Sequence, residues 1–354
     1  MHKLFTSSFD ASIYLQQPEQ NAGRDEILEV GKLYYGSTKD IARTLIKFDV
    51  ANMGIPSGSI VYLNLKSSQA EEIPLEYTIH ANAVSQSWNM GIGTKFDNIT
   101  SDGVSWYYKD GINKWMDYTV TPNSYVSGSD TGSISNGGGG TWYTASMASQ
   151  SYNYEDADIR MNVTNIVNLW LSGSIPNNGF IIHHSLTAEN NELDYGVLKF
   201  FSKETNTIYE PKLEVVSNDS SFVTGSLTPV TGSAEDGYKV VLTNLKNEYP
   251  ANETIKVRVK GRDMYPLKSF GTTFEYDQVK YLPTTTYYEL EDYKTGEIIF
   301  PFGDFTKVSC DSTSNYFVMD LNTLPLNRTY KLRIKIVESG ISTVIDDKFI
   351  FEII

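Results

Sequence analysis

The chain has 354 residues, of which 40% are apolar, 20% charged and 13% aromatic, a balance that supports a core and excludes intrinsic disorder. Its formal charge of −14, spread over both halves, argues against a nucleic-acid partner because carboxylates repel phosphate backbones. No basic amphipathic stretch suggests a membrane surface, and no apolar run suggests a membrane span or a signal peptide, so synthesis and folding in a cytoplasm are expected. Cys310 is the single cysteine, which excludes a disulfide within the chain.

In chain order, strands are expected at 11–14, 27–30, 43–48, 60–65 and 75–81. Short clusters of Gly, Pro, Asn and Ser separate these runs, as in sandwiches and barrels. Residues 89–149 read as a long insertion, ordered by its aromatics and loose at Gly137–Gly140. One short helix is expected at 163–171, where Val163, Ile166, Val167, Trp170 and Leu171 share a face and Asn162 or Thr164 caps it. A strand at 211–216 precedes a polar linker at Ser217–Ser221. Further strands are expected at 238–242, 255–260, 286–290, 316–321, 330–337 and 348–354. The expectation is an all-β chain of two β-sandwich domains, 1–216 and 217–354.

Four histidines, His2, His80, His183 and His184, offer no metal spacing. His183 and His184 adjoin on a strand and point to opposite faces, so surface or groove positions are expected. Carboxylates cluster at Glu71-Glu72, Glu155-Asp156 with Asp158, Glu189 with Glu192 and Asp194, and Asp346-Asp347, where solvated turns are expected rather than a catalytic pair. No phosphate-binding loop, zinc-protease, nucleophile-elbow or EF-hand pattern occurs, and the chain reads as non-enzymatic. Trp106, Tyr107, Tyr108, Trp115, Trp142 and Tyr143 form the expected binding surface, for a neighbouring subunit or for sugar rings. The competing reading has them packing on their own domain.

An ordered set of pieces in residues 6–216 resembles the DNRLRE family of jelly-roll modules. The pieces are Phe9-Asp10-Ala11-Ser12-Ile13-Tyr14, Asn21-Ala22-Gly23, Leu28-Glu29-Val30-Gly31, Arg43-Thr44-Leu45-Ile46-Lys47-Phe48-Asp49 and the serine–tryptophan segment ending at Trp88. They continue with the helix bearing Trp170, Asn178-Gly179-Phe180-Ile181-Ile182, Phe200-Phe201-Ser202-Lys203-Glu204 and Pro211-Lys212-Leu213-Glu214-Val215. On their own chemistry, Asn21 and Gly23 suit positive φ at a tight turn, Phe48 and Trp170 are core anchors, and Arg43, Ser202 and Glu204 suit an ion pair at strand edges. The resemblance implies a jelly roll similar to carbohydrate-binding modules, and a structural Ca²⁺ for which Asp10 is the candidate ligand.

Residues 222–354 read as an immunoglobulin-like or fibronectin III-like sandwich, and with Tyr287-Tyr288-Glu289-Leu290-Glu291-Asp292 and the stretch from Phe300 to Leu321 they resemble the immunoglobulin-like appendages of tailed-phage virion proteins. Together the two resemblances imply a virion structural protein of neck, tail, baseplate or capsid exterior, with other virion proteins in a symmetric assembly as partners. A glycan-binding adhesin module for cell-surface polysaccharide is the alternative.

Overall fold

The computed structural model describes residues 1–100, 102–115, 125–127 (backbone only), 138–153, 157–230, 237–265, 278–322 and 324–354. The protein is all-β, and the chain divides into two compact units, Phe5–Val215 and Met1–Leu4 together with Val216–Ile354. The expected boundary at 216/217 falls one residue from this division. Residues 1–4, expected in the first domain, are counted with the second unit instead.

The first unit carries two sheets, and the smaller one includes a strand, β1 (His2–Thr6), whose first three residues are counted with the second unit. Four strands run in the order β1 (His2–Thr6), β13 (Lys212–Val216), β5 (Ile60–Leu65), β10 (Ile159–Asn162). The second sheet runs β6 (Ser67–Glu71), β12 (Gly196–Phe201), β3 (Ile27–Tyr35), β4 (Thr38–Lys47), β11 (Phe180–His184), β7 (Glu76–Val84), β9 (Thr141–Asn153), β8 (Tyr125–Ser127), with β2 (Phe9–Tyr14) paired to β4. Strand β9 begins inside the stretch read from sequence as an insertion, runs four residues past its end at 149, and pairs with β7 over most of its length, from Glu76 opposite Asn153 to Val84 opposite Trp142.

Alternation along the central strands gives this larger sheet two buried faces. Ile46 on β4, Phe180 and Ile182 on β11, and Ile79 and Ala81 on β7 join the core shared with Val61, Leu63 and Leu65 of β5 and Leu213 and Val215 of β13. Phe48 and Trp170 are buried in that core, with Phe48 edge-on to Phe180 and Trp170 4.7 Å from the Phe180 ring centre. The helix α1 (Thr164–Leu171) delivers Trp170; its N-cap position is Val163, which offers no side-chain cap, and Asn162 just before it accepts from the Thr164 N–H at 3.1 Å through Oδ1.

On the opposite face, Ala11 and Ile13 of β2, Ile41 and Leu45 of β4, Ile181 of β11 and Val84 of β7 form a second core with Val104, Trp106, Trp115 and Trp142. The segment 89–115 covers this face as an additional layer, and a second short helix, α2 (Leu186–Asn190), adjoins it through Leu186.

The second unit is a separate sandwich. One sheet runs β14 (Thr228–Pro229), β18 (Lys280–Tyr281), β17 (Thr254–Asp263), β22 (Asn315–Asp320), β21 (Ser309–Cys310), with β15 (Tyr238–Leu242) paired to β17. The other runs β16 (Glu248–Tyr249), β24 (Ile341–Ile353), β23 (Arg328–Glu338), β19 (Thr286–Asp292), β20 (Ile298–Phe300). Its core takes Val240, Val257, Val259, Phe317 and Met319 from the first sheet and Tyr288, Leu290, Leu332, Ile334 and Phe351 from the second. Leu4 is part of this core.

Ser217–Ser221 is not a free linker. The Ser217 N–H donates to the Met1 carbonyl at 3.0 Å, the Cys310 N–H to the Ser221 carbonyl at 2.8 Å, and the Val223 N–H to the Cys310 carbonyl at 2.9 Å. These polar residues look like a linker in sequence because main-chain bonds, not side-chain burial, hold them. Among the described residues, no helix is long and apolar enough to cross a membrane.

Candidate functional site: the covered face and its edge

The covering layer is fixed by residues far away in sequence. Asn21 is fully buried, and its Nδ2 donates to the carbonyls of Met90 and Val104, both at 2.8 Å, while its Oδ1 accepts from the Gly93 N–H at 2.7 Å. Neither Asn21 nor Gly23 has positive φ, so the turn expected from sequence is not why they are there. Gly23 is needed for room: a Cβ on it would lie 2.1 Å from the Met90 carbonyl oxygen. The Asn21-Ala22-Gly23 piece is therefore a clamp on the covering segment.

Beneath that segment lies a buried polar cluster. Arg43 and Glu189 are both fully buried and form a two-pronged ion pair, with Arg43 Nε donating to Glu189 Oε1 at 3.0 Å and Nη2 to Oε2. Arg43 Nη1 donates to the Gly139 carbonyl at 2.6 Å, and the guanidinium centre lies 4.7 Å from the Trp106 ring centre and 5.3 Å from that of Trp142. Three expectations are corrected here. Arg43 pairs with Glu189 rather than with Glu204, which pairs instead with Arg24 at 3.0 Å. Glu189 is not in a solvated turn, because helix α2 folds it under the layer. The glycines 138–140 are not loose. They are buried, and a Cβ at Gly139, where φ is +69°, would lie 2.3 Å from Arg43 Nη1 and 2.7 Å from the Trp106 ring. Gly137 lies outside the described residues.

His183 and His184 are buried too, against the expectation of surface or groove positions. His183 Nε2 faces Asn82 Oδ1 at 3.1 Å, and its Nδ1 faces the His184 carbonyl. Burial, and then the Arg43 charge, hold His183 well below the ordinary histidine range. It is neutral near pH 7, so its single ring proton serves one of the two oxygens. The His184 ring lies on the other side, 5.2 Å from the Tyr195 ring centre, where burial pushes its pKa down to about 4.

The six aromatics proposed from sequence as a binding surface are split by the fold. Trp106, Trp115 and Trp142 are buried in the second core, with Trp115 Nε1 donating to the Ser105 carbonyl at 3.1 Å. Their faces are taken up by their own domain, because the sheet beneath them is apolar and needs a cover. Tyr107, Tyr108 and Tyr143 remain part-exposed. Sequence reasoning missed four apolar side chains on the outside of the layer, Ile92, Phe96, Ile99 and Ile112, all well exposed, with Phe96 at 88%. They are scattered among Gly, Asp and Asn, so no periodicity marks them.

Two adjoining clefts open at the edge of the layer. One, of ≈ 520 Å³, lies between the turn 16–20 and residues 95–99 and is lined by Gln16, Gln17, Gln20, Lys95, Phe96 and Tyr107. The other, of ≈ 270 Å³, shares Gln16, Gln17 and Lys95 with it and reaches Tyr14, Glu29, Asp40 and Glu71.

Asp10 does not fit the Ca²⁺ expected of it. Its carboxylate is buried and accepts from the Lys203 N–H at 2.7 Å and from the Ser7 hydroxyl at 3.3 Å. These neighbours donate hydrogens, whereas Ca²⁺ requires a cage of six to eight oxygens. Among the described residues no three His, Cys, Asp or Glu side chains converge on a metal-sized site. Burial pushes the Asp10 pKa up to about 7, against the lowering by its Lys203 and Ser7 hydrogen bonds.

No protein-family model matches the sequence, and no curated protein matches it. A solved structure that the chain matches is a DUF4785 family protein from Legionella pneumophila, at 8% identity and a TM-score of 0.19. That match covers all of this chain and 65% of the other.

Proposed function

We propose that the chain is a non-enzymatic structural module of a tailed-phage particle, an adaptor or display element on the neck, tail, baseplate or capsid exterior. The observation that carries this reading is the division of labour in the covering layer. Its indoles face inward and fill a core, while Ile92, Phe96, Ile99 and Ile112 face solvent. Exposed apolar side chains gathered on one segment suit a subunit contact, where they lose water on assembly. The resemblance of residues 6–216 to DNRLRE modules and of residues 222–354 to immunoglobulin-like phage appendages supports the same reading.

The test is incorporation. Particles from an infected culture, purified and analysed by mass spectrometry, contain the protein on this reading. A Phe96→Asp, Ile112→Asp double variant leaves solution stability within about 0.5 kcal/mol, as expected for exposed sites, but is lost from particles. Purified particles lacking the wild-type protein would overturn the proposal.

One observation favours a second reading. The ≈ 520 Å³ cleft combines three glutamine amides with the Phe96 and Tyr107 rings, a set able to bind hydroxyls and stack on a sugar. Polysaccharide binding by the free protein, lost in Phe96→Ala, would favour the glycan-binding module.

A further inference from the structure

A lysine is almost never fully buried without a carboxylate partner, because its ammonium gives up hydration there. Lys32 on β3 departs from that pattern. It is fully buried, and among the described residues its Nζ bonds only neutral oxygens: the Asn191 carbonyl at 2.7 Å, the Asn191 side-chain Oδ1 at 3.1 Å and the Leu193 carbonyl. The Tyr34 and Tyr195 rings flank the amine, with their centres 5.4 and 5.6 Å from Nζ. Burial lowers the Lys32 pKa from the ordinary lysine value, with the Asp194 charge opposing, so the neutral and nucleophilic amine is more accessible than in an exposed lysine.

The carboxamide beside it is held as an acyl donor. Asn191 ends helix α2, and its Oδ1 accepts from the Leu193 N–H at 2.9 Å as well as from Lys32. A backbone amide therefore already points at the oxygen on which negative charge develops when Cγ is attacked. The Asn191 Nδ2, the nitrogen that would leave, donates to the Tyr195 hydroxyl at 2.9 Å. The Tyr195 N–H in turn donates to the Lys32 carbonyl at 2.9 Å, which fixes the tyrosine against the strand that carries the amine. An amine, a carboxamide, an oxyanion donor and a proton-bearing hydroxyl meet at one point, from residues up to 159 positions apart in sequence.

We propose that Lys32 and Asn191 become joined by an intramolecular amide bond that the folded protein forms on itself. The Lys32 amine attacks the Asn191 Cγ; the Nζ–Cγ bond forms, the Cγ–Nδ2 bond breaks and ammonia leaves. The Tyr195 hydroxyl hands a proton to Nδ2 and is restored by the proton that Nζ sheds. One amine and one carboxamide are consumed, and one substituted amide and one ammonia result, with no oxidant, reductant or cofactor. Enforced proximity of the two groups supplies the drive that a bimolecular reaction lacks. The bond staples β3 to the turn that leads into β12. The inference does not depend on the virion reading, although a display module under mechanical load would gain from such a staple.

The test is the mass of the intact, full-length protein, followed at intervals after cell-free synthesis. The expected result is a mass one ammonia below that of the sequence, with a protease digest that contains a branched peptide joining Lys32 to Asn191. Lys32→Arg, which keeps the charge but not the amine, and Asn191→Ala each show the full mass of their own sequences. Tyr195→Phe slows the ammonia loss about a hundredfold, as for a removed proton donor. Circular dichroism checks that each variant is folded. Folded wild-type protein that keeps its full mass overturns the proposal, whether or not the variants fold. So does an ammonia loss that persists in Asn191→Ala, which would place it at another asparagine such as Asn178 before Gly179. An unchanged rate in Tyr195→Phe would overturn the proton route through that hydroxyl.

Discussion

The two faces of the large sheet are built from the same strands by different means. The face toward β5 and β13 is closed by another sheet, and its core is largely aliphatic, with Phe48, Tyr77, Tyr152, Trp170, Phe180 and Phe200 as large rings. The opposite face is closed by a non-repetitive segment, and its core holds three tryptophans around a buried Arg43–Glu189 pair. A sheet satisfies its own main chain and needs only apolar side chains to join another. An irregular layer leaves carbonyls and amides unpaired, so buried side chains such as Arg43 and Asn21 must supply the bonds that strand pairing gives elsewhere. The price is sensitivity: one face tolerates loss of volume, while the other also depends on charge and geometry.

The strongest way to break the second face is to orphan a charge. Arg43→Met leaves Glu189 buried and unpaired and is expected to cost about 3–5 kcal/mol in chemical denaturation. The double variant Arg43→Met, Glu189→Leu recovers much of that loss. If the double variant is as unstable as the sum of the two single ones, the pair is not acting as one unit.

Volume loss tests both faces equally. Phe48→Ala and Trp106→Ala are each expected to cost about 3–5 kcal/mol. A loss below about 1 kcal/mol for Trp106→Ala alone would mean that the covering layer does not form a core.

Leu4→Ala sharpens the assignment of residues 1–4. It is expected to cost about 2–3 kcal/mol, read in the unfolding of the second unit, because Leu4 packs with that core. Loss confined to the first unit would return these residues to it.

Stability also depends on pH. Asp10 binds its proton more tightly folded than unfolded, since burial raises its pKa to about 7 from an unfolded value near 3.8. Its contribution is therefore neutral at low pH and increasingly destabilising as pH rises from about 4 to about 7, flat above. The stability difference between wild type and Asp10→Asn should fall across that window. A difference independent of pH would mean that Asp10 is ionised throughout.

The sequence made the first face legible and the second only in part. Alternation in 60–65 and the spacing of Val163, Ile166, Val167 and Trp170 announce elements that bury apolar side chains, and those elements are present. Strand β9 was absorbed into the insertion because Thr144–Ser151 is mostly small and polar, with no alternation. Its extended form comes from pairing with β7, a tertiary cause. Gly23, Gly139, Arg43 and Glu189 act through partners up to 146 residues away, which no local window contains. The insertion's tryptophans were visible as important, but whether they face in or out depends on the sheet beneath, since both a core and an interface favour indole.

Hydrogen exchange on the isolated protein tests most directly the claim that segment 89–115 is a finished layer of its own domain. The Val104 amide bonds the Asn89 carbonyl at 2.8 Å, Trp115 bonds Tyr107 at 3.1 Å, and Gly139 bonds Trp106 at 2.7 Å. These three amides should be protected without any partner, to an extent comparable with the strands beneath. Exchange at the rate of an open chain, with protection appearing only in assembled particles, would contradict the account and make the tryptophans interface residues instead.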